Sequence, residues 1–253
     1  MLKLATETDL DAILRFCDGD LLGTRIGCYC SAYGFDRDFL NVWVDCSDDS
    51  ISAVIVKFYD SITVIADGDD LSEISEFISM LGFCNLEATL ETCRKLSYEP
   101  DEIKKSYIFS GEAESSDAQD LSEEHYKALY KLVSENIPGS FSDDNESYLA
   151  FLSDFTFKKR RNLTRAKGII LDGKLVSSVI TAAEVPGNAL ISAVASDKEI
   201  RGKGLGRRTV MTMVSELLKE NKKVYVIALN ESAEGFYEHL GFEFCENIAI
   251  KRG

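Results

Sequence analysis

The sequence predicts an α/β protein in which a mixed sheet is covered by helices, and three observations lead to this fold class. In residues 115–253, apolar spacings typical of helices and strands alternate: two helices, three strands, then helix, strand, helix and strand. The segment "KKVYVIAL" is almost wholly apolar, as expected for a strand that is buried on both faces. The first half of the chain shows a fainter version of the same order. Such alternation predicts a mixed sheet packed between layers of helices.

Each element of the second half has its own local signal. "LSEEHYKALYKLVSENI" has the apolar spacing of a helix with Ser122 as its cap, and "NESYLAFLSDF" predicts a second helix. The dipeptide Asp172-Gly173 predicts a tight hairpin turn between two strands. The "VPGN" turn opens the strand "NALISAVAS", which is followed by a long helix that begins near Gly204. After the buried strand, a short helix stops at Gly241 and a closing strand completes the order.

The first half predicts helices at "DLDAILRFC" and "LSEISEFISMLG". Strands are predicted at "LNVWVD", "ISAVIVKFYDSITVIAD", "FCNLEATL" and "SYIFS". The acidic, serine-rich segment "GEAESSDAQDLSEEH" has the composition of a linker. We therefore expect an N-terminal α/β domain over residues 1–114 and a second domain over 115–253. The echo of "FISMLGFCNLEA" in "FYEHLGFEFCEN" suggests that the first domain is a degenerate copy of the second.

Composition excludes several classes of function. The 253 residues carry a formal net charge of -15, which argues against nucleic-acid binding. Most of the acidity lies in the first half, where it serves solubility or attracts a cationic partner or substrate. The seven cysteines are scattered, and Cys28-x-Cys30 has no matching second pair, so we expect no metal site. With no signal peptide and no apolar stretch of about 20 residues, we expect a cytoplasmic protein with reduced thiols and no membrane association.

The segment "EIRGKGLGRR", residues 199–208, puts three glycines and four basic residues between a predicted strand and a predicted helix. The first N–H groups of a helix lack intrahelical partners, so a helix N-terminus attracts anions. Glycines let the backbone approach a ligand closely. The segment therefore predicts a phosphate-binding loop, and the alternative is a glycine-rich turn with solvated basic residues. It is not a Walker A loop, and as a Rossmann fingerprint starting at Gly204 it has Thr209 where the third glycine belongs.

Two linked motifs resemble those of the GNAT superfamily of N-acetyltransferases. "VASDKEIRGKGLG" resembles the family's acyl-CoA pyrophosphate loop, [RQ]-x-x-G-x-[GA], although Lys198 stands where many members carry proline. One helix and one strand later, "NESAEGFYEHLGF" resembles the family's N-x-x-A-x-x-x-Y-x-x-x-G-F. The resemblance covers about residues 118–253. The matching positions are Arg201, Gly204, Gly206, Asn230, Ala233, Tyr237, Gly241 and Phe242.

The resemblance implies acetyl-CoA as acyl donor and a sheet that opens around Val194–Ser196 to take its pantetheine arm. The residues that it assigns to the coenzyme are Val194, Ala195, Ser196, Arg201, Gly202, Lys203, Gly204, Leu205, Gly206, Arg207 and Asn230. It makes Tyr237 the general acid, because CoA leaves as a thiolate that a phenol can protonate. The alternatives are that Asn230 caps the following helix and that Tyr237 is a packed aromatic.

The implied reaction is direct attack of a neutral primary amine on the thioester. The acceptor is a small molecule, an amino acid or a peptide, with a cationic one mildly favoured. Glu184 and Glu231 are candidate bases, although each is more simply a solvated surface acid, and His239 is more simply exposed or packed. The basic run at 158–165 is a solvated helix end, or it contacts an acidic surface. Alternatives for the whole chain are a CoA-binding module without catalysis, a transferase of larger acyl groups, or transfer to a hydroxyl. The oligomeric state is left open.

The first half lacks a comparable glycine loop. At the corresponding position its sequence is "ADGDDLSE", where several carboxylates stand at a predicted helix N-terminus. Carboxylates there complement the helix dipole themselves and repel a diphosphate. We therefore expect one CoA site per chain.

Overall fold

The computed structural model describes residues 1–47 and 50–253, which form two compact units. The first unit contains Met1–Tyr107, Ile227–Tyr237 and Phe244–Gly253. The second contains Ile108–Val226 and Glu238–Glu243. The sequence-based boundary between residues 114 and 115 stays a prediction. In the described part of the chain, no helix combines the length and the apolar character needed to cross a membrane.

Strands and helices alternate along the chain as the fold class predicts. The strands are β1 (Leu2–Leu4), β2 (Leu40–Ser47), β3 (Ser50–Phe58), β4 (Ser61–Ala66), β5 (Asn85–Thr89), β6 (Glu102–Phe109), β7 (Gln119–Asp120), β8 (Ala166–Leu171), β9 (Lys174–Val185), β10 (Asn188–Ser196), β11 (Lys223–Ile227) and β12 (Phe242–Arg252). The helices are α1 (Leu10–Phe16), α2 (Leu21–Tyr33), α3 (Ser72–Leu81), α4 (Leu90–Lys95), α5 (Tyr126–Asn136), α6 (Asn145–Lys159), α7 (Leu205–Lys219) and α8 (Glu231–His239). Short 3₁₀ turns precede α1, α5 and the glycine-rich loop.

The first unit is built on strands in the order β1-β2-β3-β4-β5-β12-β6. The β4–β5 pair is parallel, and α3 makes the crossover between these two strands. The last strand of the chain, β12, pairs antiparallel with β5, with Ile248 opposite Thr89. Buried apolar side chains of the strands, among them Ile55, Val64 and Leu86, pack with Ile78 of α3 to form one core cluster.

Two helices of the first unit, α2 and α4, were not predicted. Helix α2 buries residues on all sides, including Leu22, Gly23 and Cys28, so its sequence lacks the one-sided apolar period of a surface helix. It nevertheless begins with an ordinary cap, because the Asp20 carboxylate accepts a 2.6 Å hydrogen bond from the Gly23 N–H. Helix α4 has six residues, and its first turn is capped by the Thr89 hydroxyl.

The second unit orders its strands β11-β10-β9-β8-β7, with β10–β11 parallel and the other pairs antiparallel. Asp172 and Gly173 have φ of 49° and 77°, which confirms the tight hairpin between β8 and β9. Helices α5 and α6 cover an apolar cluster that includes Ile180 and Ala195 of the strands. Leu205 of helix α7 packs in a separate cluster with Ile169 of β8 and Val176 of β9.

The two units share one order of elements. In each, five strands are neighbours in sequence order, and the last two are parallel while the others are antiparallel. Two helices lie between the first and second of these strands and one lies between the fourth and fifth. A further helix follows the fifth strand in sequence, although α8, which follows β11, lies in the first unit as far as Tyr237. This common order agrees with the expectation that the N-terminal part is a degenerate copy. The mixed α/β class is confirmed.

Candidate coenzyme site

Strand β10 loses one of its two neighbours halfway along its length. Its parallel pairing with β11 runs from Asn188↔Lys223 to Ile191↔Val226 and ends there. On the other side, β10 remains paired with β9 as far as Ser196↔Ser177, with a bulge between Ser192 and Ala195. Among residues 1–47 and 50–253, no strand pairs with the β11 side of β10 beyond Ile191, which leaves an open strand edge there. An open edge offers backbone N–H and C=O groups to an extended ligand.

The bulge holds an unusual backbone conformation. Ala193 has φ of 49°, in the left-handed region that a non-glycine residue adopts at a cost of about 1–2 kcal/mol. The buried Ser178 hydroxyl donates to the Ala193 carbonyl oxygen at 3.3 Å. Bulges re-aim backbone groups and occur beside functional sites. The bulge lies next to Val194–Ser196, whose assignment to the pantetheine arm stays a prediction.

The glycine-rich loop leads from this strand to the N-terminus of α7. Gly202 and Gly204 have φ of 81° and 73°, and Gly204 is the residue immediately before the helix. A Cβ built on either glycine would have no other atom within 4 Å, so both face open space. The first intrahelical bond runs from the Arg208 N–H to the Gly204 oxygen at 3.0 Å. The N–H groups of residues 205–207 precede that bond, and an anion can accept from them.

The basic residues of the loop divide into two groups. Lys203 and Arg207 are exposed, and neither has an ion-pair partner within residues 1–47 and 50–253. Arg208, by contrast, forms a bidentate ion pair with Asp117. Arg201 donates to two backbone oxygens, at 3.3 Å to Ser196 and at 3.2 Å to Asn136. Arg201 thus fixes the loop to the end of α5, whereas Lys203 and Arg207 can attract an anion.

The start of the loop is fixed by further polar contacts. The Asn136 side-chain oxygen accepts from the Lys198 N–H at 3.0 Å. The Asp197 carboxylate accepts from the Glu199 N–H at 2.9 Å and pairs with the Lys174 ammonium at 2.6 Å. The hydrogen bond from Lys174 lowers the pKa of Asp197 below its ordinary value, so this carboxylate is ionised at neutral pH. These contacts fix the start of the loop to α5 and to Lys174 of β9.

Asn230 and Tyr237, the remaining predicted residues, lie on and just before α8. The Asn230 side-chain oxygen accepts from the Ala233 N–H at 3.0 Å, so Asn230 caps this helix. Its role toward the coenzyme stays a prediction. Tyr237 is buried, at 6% exposure, and this burial raises the pKa of its phenol above the ordinary value. The phenol therefore stays protonated at neutral pH, as a proton donor must.

Glu184 is not a solvated surface acid, and this part of the sequence analysis is wrong. Its side chain is 1% exposed, and both carboxylate oxygens accept from Arg165, at 2.8 and 2.7 Å. The Thr181 hydroxyl and the Lys222 ammonium also donate to this carboxylate, at 2.7 and 2.5 Å. The carboxylate is therefore held inside the protein by two cations and a hydroxyl group. By contrast, the other candidates, Glu231 and His239, are exposed as expected.

The basic run at 158–165 is also more than a solvated helix end. Lys158 is buried and pairs with Asp154 at 2.7 Å, one turn earlier on α6. Arg165 connects Glu184 with Glu220 of the segment that follows α7. The sequence shows these charges but not their partners, which lie between 4 and 55 positions away.

In the first unit, the acidic segment at the N-terminus of α3 makes its own contacts. Asp70 accepts from the Ser72 N–H at 3.0 Å, and Lys95 donates to the Gly68 oxygen at 2.9 Å. Lys95 also pairs with Asp69 at 3.2 Å. These contacts use the groups that would face a phosphate. The expectation of one CoA site per chain stays a prediction.

Comparison with known proteins agrees with this description. The family model described as "FR47-like protein" matches residues 168–249, which include the loop and α8. A search of curated proteins finds no match. Among solved structures, the chain is similar to a tandem GNAT protein from the clavulanic acid biosynthesis pathway, with 13% identity, a TM-score of 0.63, and coverage of 99% of this chain and 97% of the other.

Two further structures cover the whole chain. An acetyltransferase of the GNAT family from Colwellia psychrerythraea shares 11% identity, with a TM-score of 0.62 and coverage of 100% of both chains. A GCN5-related N-acetyltransferase from Sphaerobacter thermophilus shares 14% identity, with a TM-score of 0.62, and the match covers 100% of this chain and 95% of that one. The chain has the fold of these GNAT acetyltransferases, and the resemblance of its C-terminal region to the GNAT superfamily is confirmed.

Proposed function

We propose that the chain transfers an acetyl group from acetyl-CoA to a primary amine. The observation that carries this proposal is the continuity of the open β10 edge with the glycine-rich loop. Val194–Ser196 offer an extended edge, and the chain then runs directly through residues 197–204 to the N-terminus of α7. An acyl-CoA has an extended arm with amide groups and a diphosphate, so one stretch of chain offers complementary groups to both.

The loop fits a diphosphate in three respects. Its glycines leave open space where side chains would stand, so backbone N–H groups can approach phosphate oxygens. The N–H groups of Leu205, Gly206 and Arg207 precede the first intrahelical bond. Lys203 and Arg207 supply positive charge in a chain whose formal net charge is -15. Without these local cations, the acidity of the chain would oppose the binding of an anionic coenzyme.

The coenzyme supplies a thioester, and the chain supplies the groups that position it and accept its leaving charge. In the transfer, a bond forms between the amine nitrogen and the acetyl carbon while the carbon–sulfur bond breaks. The amine loses a proton, and the departing sulfur gains one. We assign the second proton transfer to Tyr237, whose burial keeps its phenol protonated. The acceptor that we propose is a small-molecule or peptide amine, with cationic amines favoured by the acidic first half, and we propose a cytoplasmic setting.

A ligand-stabilisation experiment tests the binding step. Acetyl-CoA at 100 times its dissociation constant should raise the free energy of unfolding by about 2.7 kcal/mol. Gly204→Val should abolish this gain, because a branched side chain at φ of 73° distorts the loop and fills the space above it. Gly139→Val is the matched control: Gly139 also has positive φ, of 75°, and open space at its Cβ, but it lies in the α5–α6 connection. Equal loss of the gain in both variants, or no gain in the wild type, would contradict the proposed site.

A second measurement separates an enzyme from a binding module. Release of free thiol from acetyl-CoA is followed with a library of primary amines that includes diamines and peptides. Release that depends on the amine supports transfer. Tight binding without thiol release across the library would instead favour a CoA-binding module that lacks catalysis.

A further inference from the structure

Buried hydroxyl groups connect the first turn of α7 with the open part of β10. The Thr209 hydroxyl lies 2.9 Å from the Ser177 hydroxyl, and both residues are fully buried. The Ser177 hydroxyl in turn lies 3.3 Å from the Ala195 carbonyl oxygen and 3.1 Å from the Ser196 hydroxyl. Thr209 is also 2.9 Å from the Leu205 oxygen, at the helix start.

The chemistry of these groups gives the chain of bonds a direction. A carbonyl oxygen accepts only, and each hydroxyl has one hydrogen to donate. When Ser177 donates to the Ala195 carbonyl, its oxygen accepts from Thr209. The single hydrogen of the Thr209 hydroxyl is then not available to the Leu205 oxygen, which keeps the Thr209 N–H as its helical partner. The bonds then run from α7 through β9 to β10. We call this series, Thr209–Ser177–Ala195, the hydroxyl relay.

Polar side chains at these positions need an explanation beyond core packing. The neighbouring buried positions of α7 are mixed: Val210, Met213 and Val214 are apolar, whereas Thr212 and Ser215 are polar. A valine at position 209 would match the shape of threonine, and a buried hydroxyl is favourable only when it is hydrogen-bonded. The hydroxyl relay therefore adds directed hydrogen bonds, which apolar packing does not supply, between the start of α7 and β10.

The segment of β10 that the relay holds needs such support. Its pairing with β11 ends at Ile191, and it contains the left-handed Ala193. A strand that is hydrogen-bonded on only one side can shift slightly relative to the rest of its sheet. A bound molecule that spans the strand and the helix start gains affinity only if the distance between the two is fixed, because otherwise ordering them reduces the binding energy.

We propose that Thr209 and Ser177 are positioning residues, which hold the diphosphate-binding start of α7 at a fixed spacing from the open edge of β10. The proposal rests on the proposed function, because it assumes that one coenzyme occupies both parts. It predicts that breaking the relay leaves each part intact but weakens ligands that span both. CoA spans both parts, whereas ADP carries the diphosphate without the pantetheine arm.

The test compares the affinities of the full-length chain for CoA and for ADP. Thr209→Val should weaken CoA binding about 10-fold while changing ADP binding less than about 2-fold, since only CoA depends on the spacing. Thr209→Ser keeps the hydroxyl and should restore CoA binding. The matched control is Thr212→Val: Thr212 is also buried on α7, but its hydroxyl donates to the Arg208 oxygen and accepts from the Ser116 N–H. This control should leave both affinities unchanged.

Each other outcome is decisive. Equal weakening of CoA and ADP, or no weakening of either, overturns the positioning role. A wild type that binds CoA but not ADP also counts against it, because the loop is then not an independent diphosphate site. If the wild type binds neither CoA nor ADP, the proposed function itself is wrong. Should Thr209→Val fail to fold, Ser177→Ala breaks the same relay from the strand side and is judged by the same comparison.

Discussion

Replacing Glu184 by glutamine should destabilise the second unit strongly while leaving chemistry intact. The substitution keeps the size of the side chain but removes its charge. Arg165 and Lys222 then lose the buried carboxylate that both contact, at distances of 2.5–2.8 Å. Removing one partner of a buried ion pair costs about 3–5 kcal/mol, because the other charge stays buried without compensation. Glu220 remains beside both cations, which favours the lower end of this range.

Glu220→Gln is the matched control, because Glu220 contacts the same two cations but its side chain is 43% exposed. Exposed ion pairs contribute about 0–1 kcal/mol, so this variant should lose less than about 1 kcal/mol. Urea unfolding of both variants near neutral pH, with equal slopes, gives the two free energies. A loss below about 1 kcal/mol for Glu184→Gln, or equal losses in both variants, would refute the reasoning.

The same variant tests whether Glu184 is a base. Amine acetylation measured well below the unfolding transition should retain its rate and its pH profile in Glu184→Gln. Loss of the acidic limb of that profile, where the rate rises as a general base loses its proton, would return Glu184 to the reaction.

Three more predictions concern other parts of the chain. Tyr237→Phe should lower the acetyl-transfer rate about 100-fold or more with little change in acetyl-CoA affinity, since it removes the proposed proton donor and keeps the ring; an unchanged rate would remove the phenol from the reaction. Burial raises the pKa of Glu246 from 4.5 to about 7, so the folded state loses stability as pH rises between these values. Glu246→Gln should therefore have the same free energy of unfolding as the wild type at pH 4 and one about 1–2 kcal/mol larger at pH 8, a figure reduced because the residue is partly exposed. Denaturant titration at both pH values checks this. Gly168→Ala should cost about 1–3 kcal/mol, because a Cβ there would lie 2.7 Å from the Ser177 backbone oxygen, which cannot move aside as a side chain can. Gly235→Ala in α8 meets open space and should lose nothing by the same titration.

Elements with strong local signals were predictable from the sequence. The Asp172-Gly173 turn, the glycine-rich loop and helix α7 each depend on residues that are close in sequence, so their patterns specify them directly. Helix α2 escaped prediction because it is buried on all sides, which removes the periodic contrast between polar and apolar faces.

Features that depend on distant partners were not predictable. Glu184 looks like a surface acid in its own segment, and its burial follows from Arg165 and Lys222, 19 and 38 positions away. In the sequence, Thr209 is notable only because it stands where a Rossmann fingerprint would have its third glycine. In the structure, its hydroxyl bonds to Ser177, 32 positions earlier. No local sequence pattern predicts such contacts, because only the tertiary structure brings the partners together.

The pairing of β12 with β5 has a consequence for how the chain folds during synthesis. Strand β5 ends at Thr89, whereas β12, which pairs with it, begins only at Phe242, and the Gly253 N–H donates to the Cys84 oxygen at 3.0 Å. At a ribosomal rate of about 5–20 residues per second, β5 waits several seconds with an unpaired edge. A nascent chain of this kind is exposed to aggregation until β12 emerges, so removing β12 would leave the sheet of the first unit incomplete.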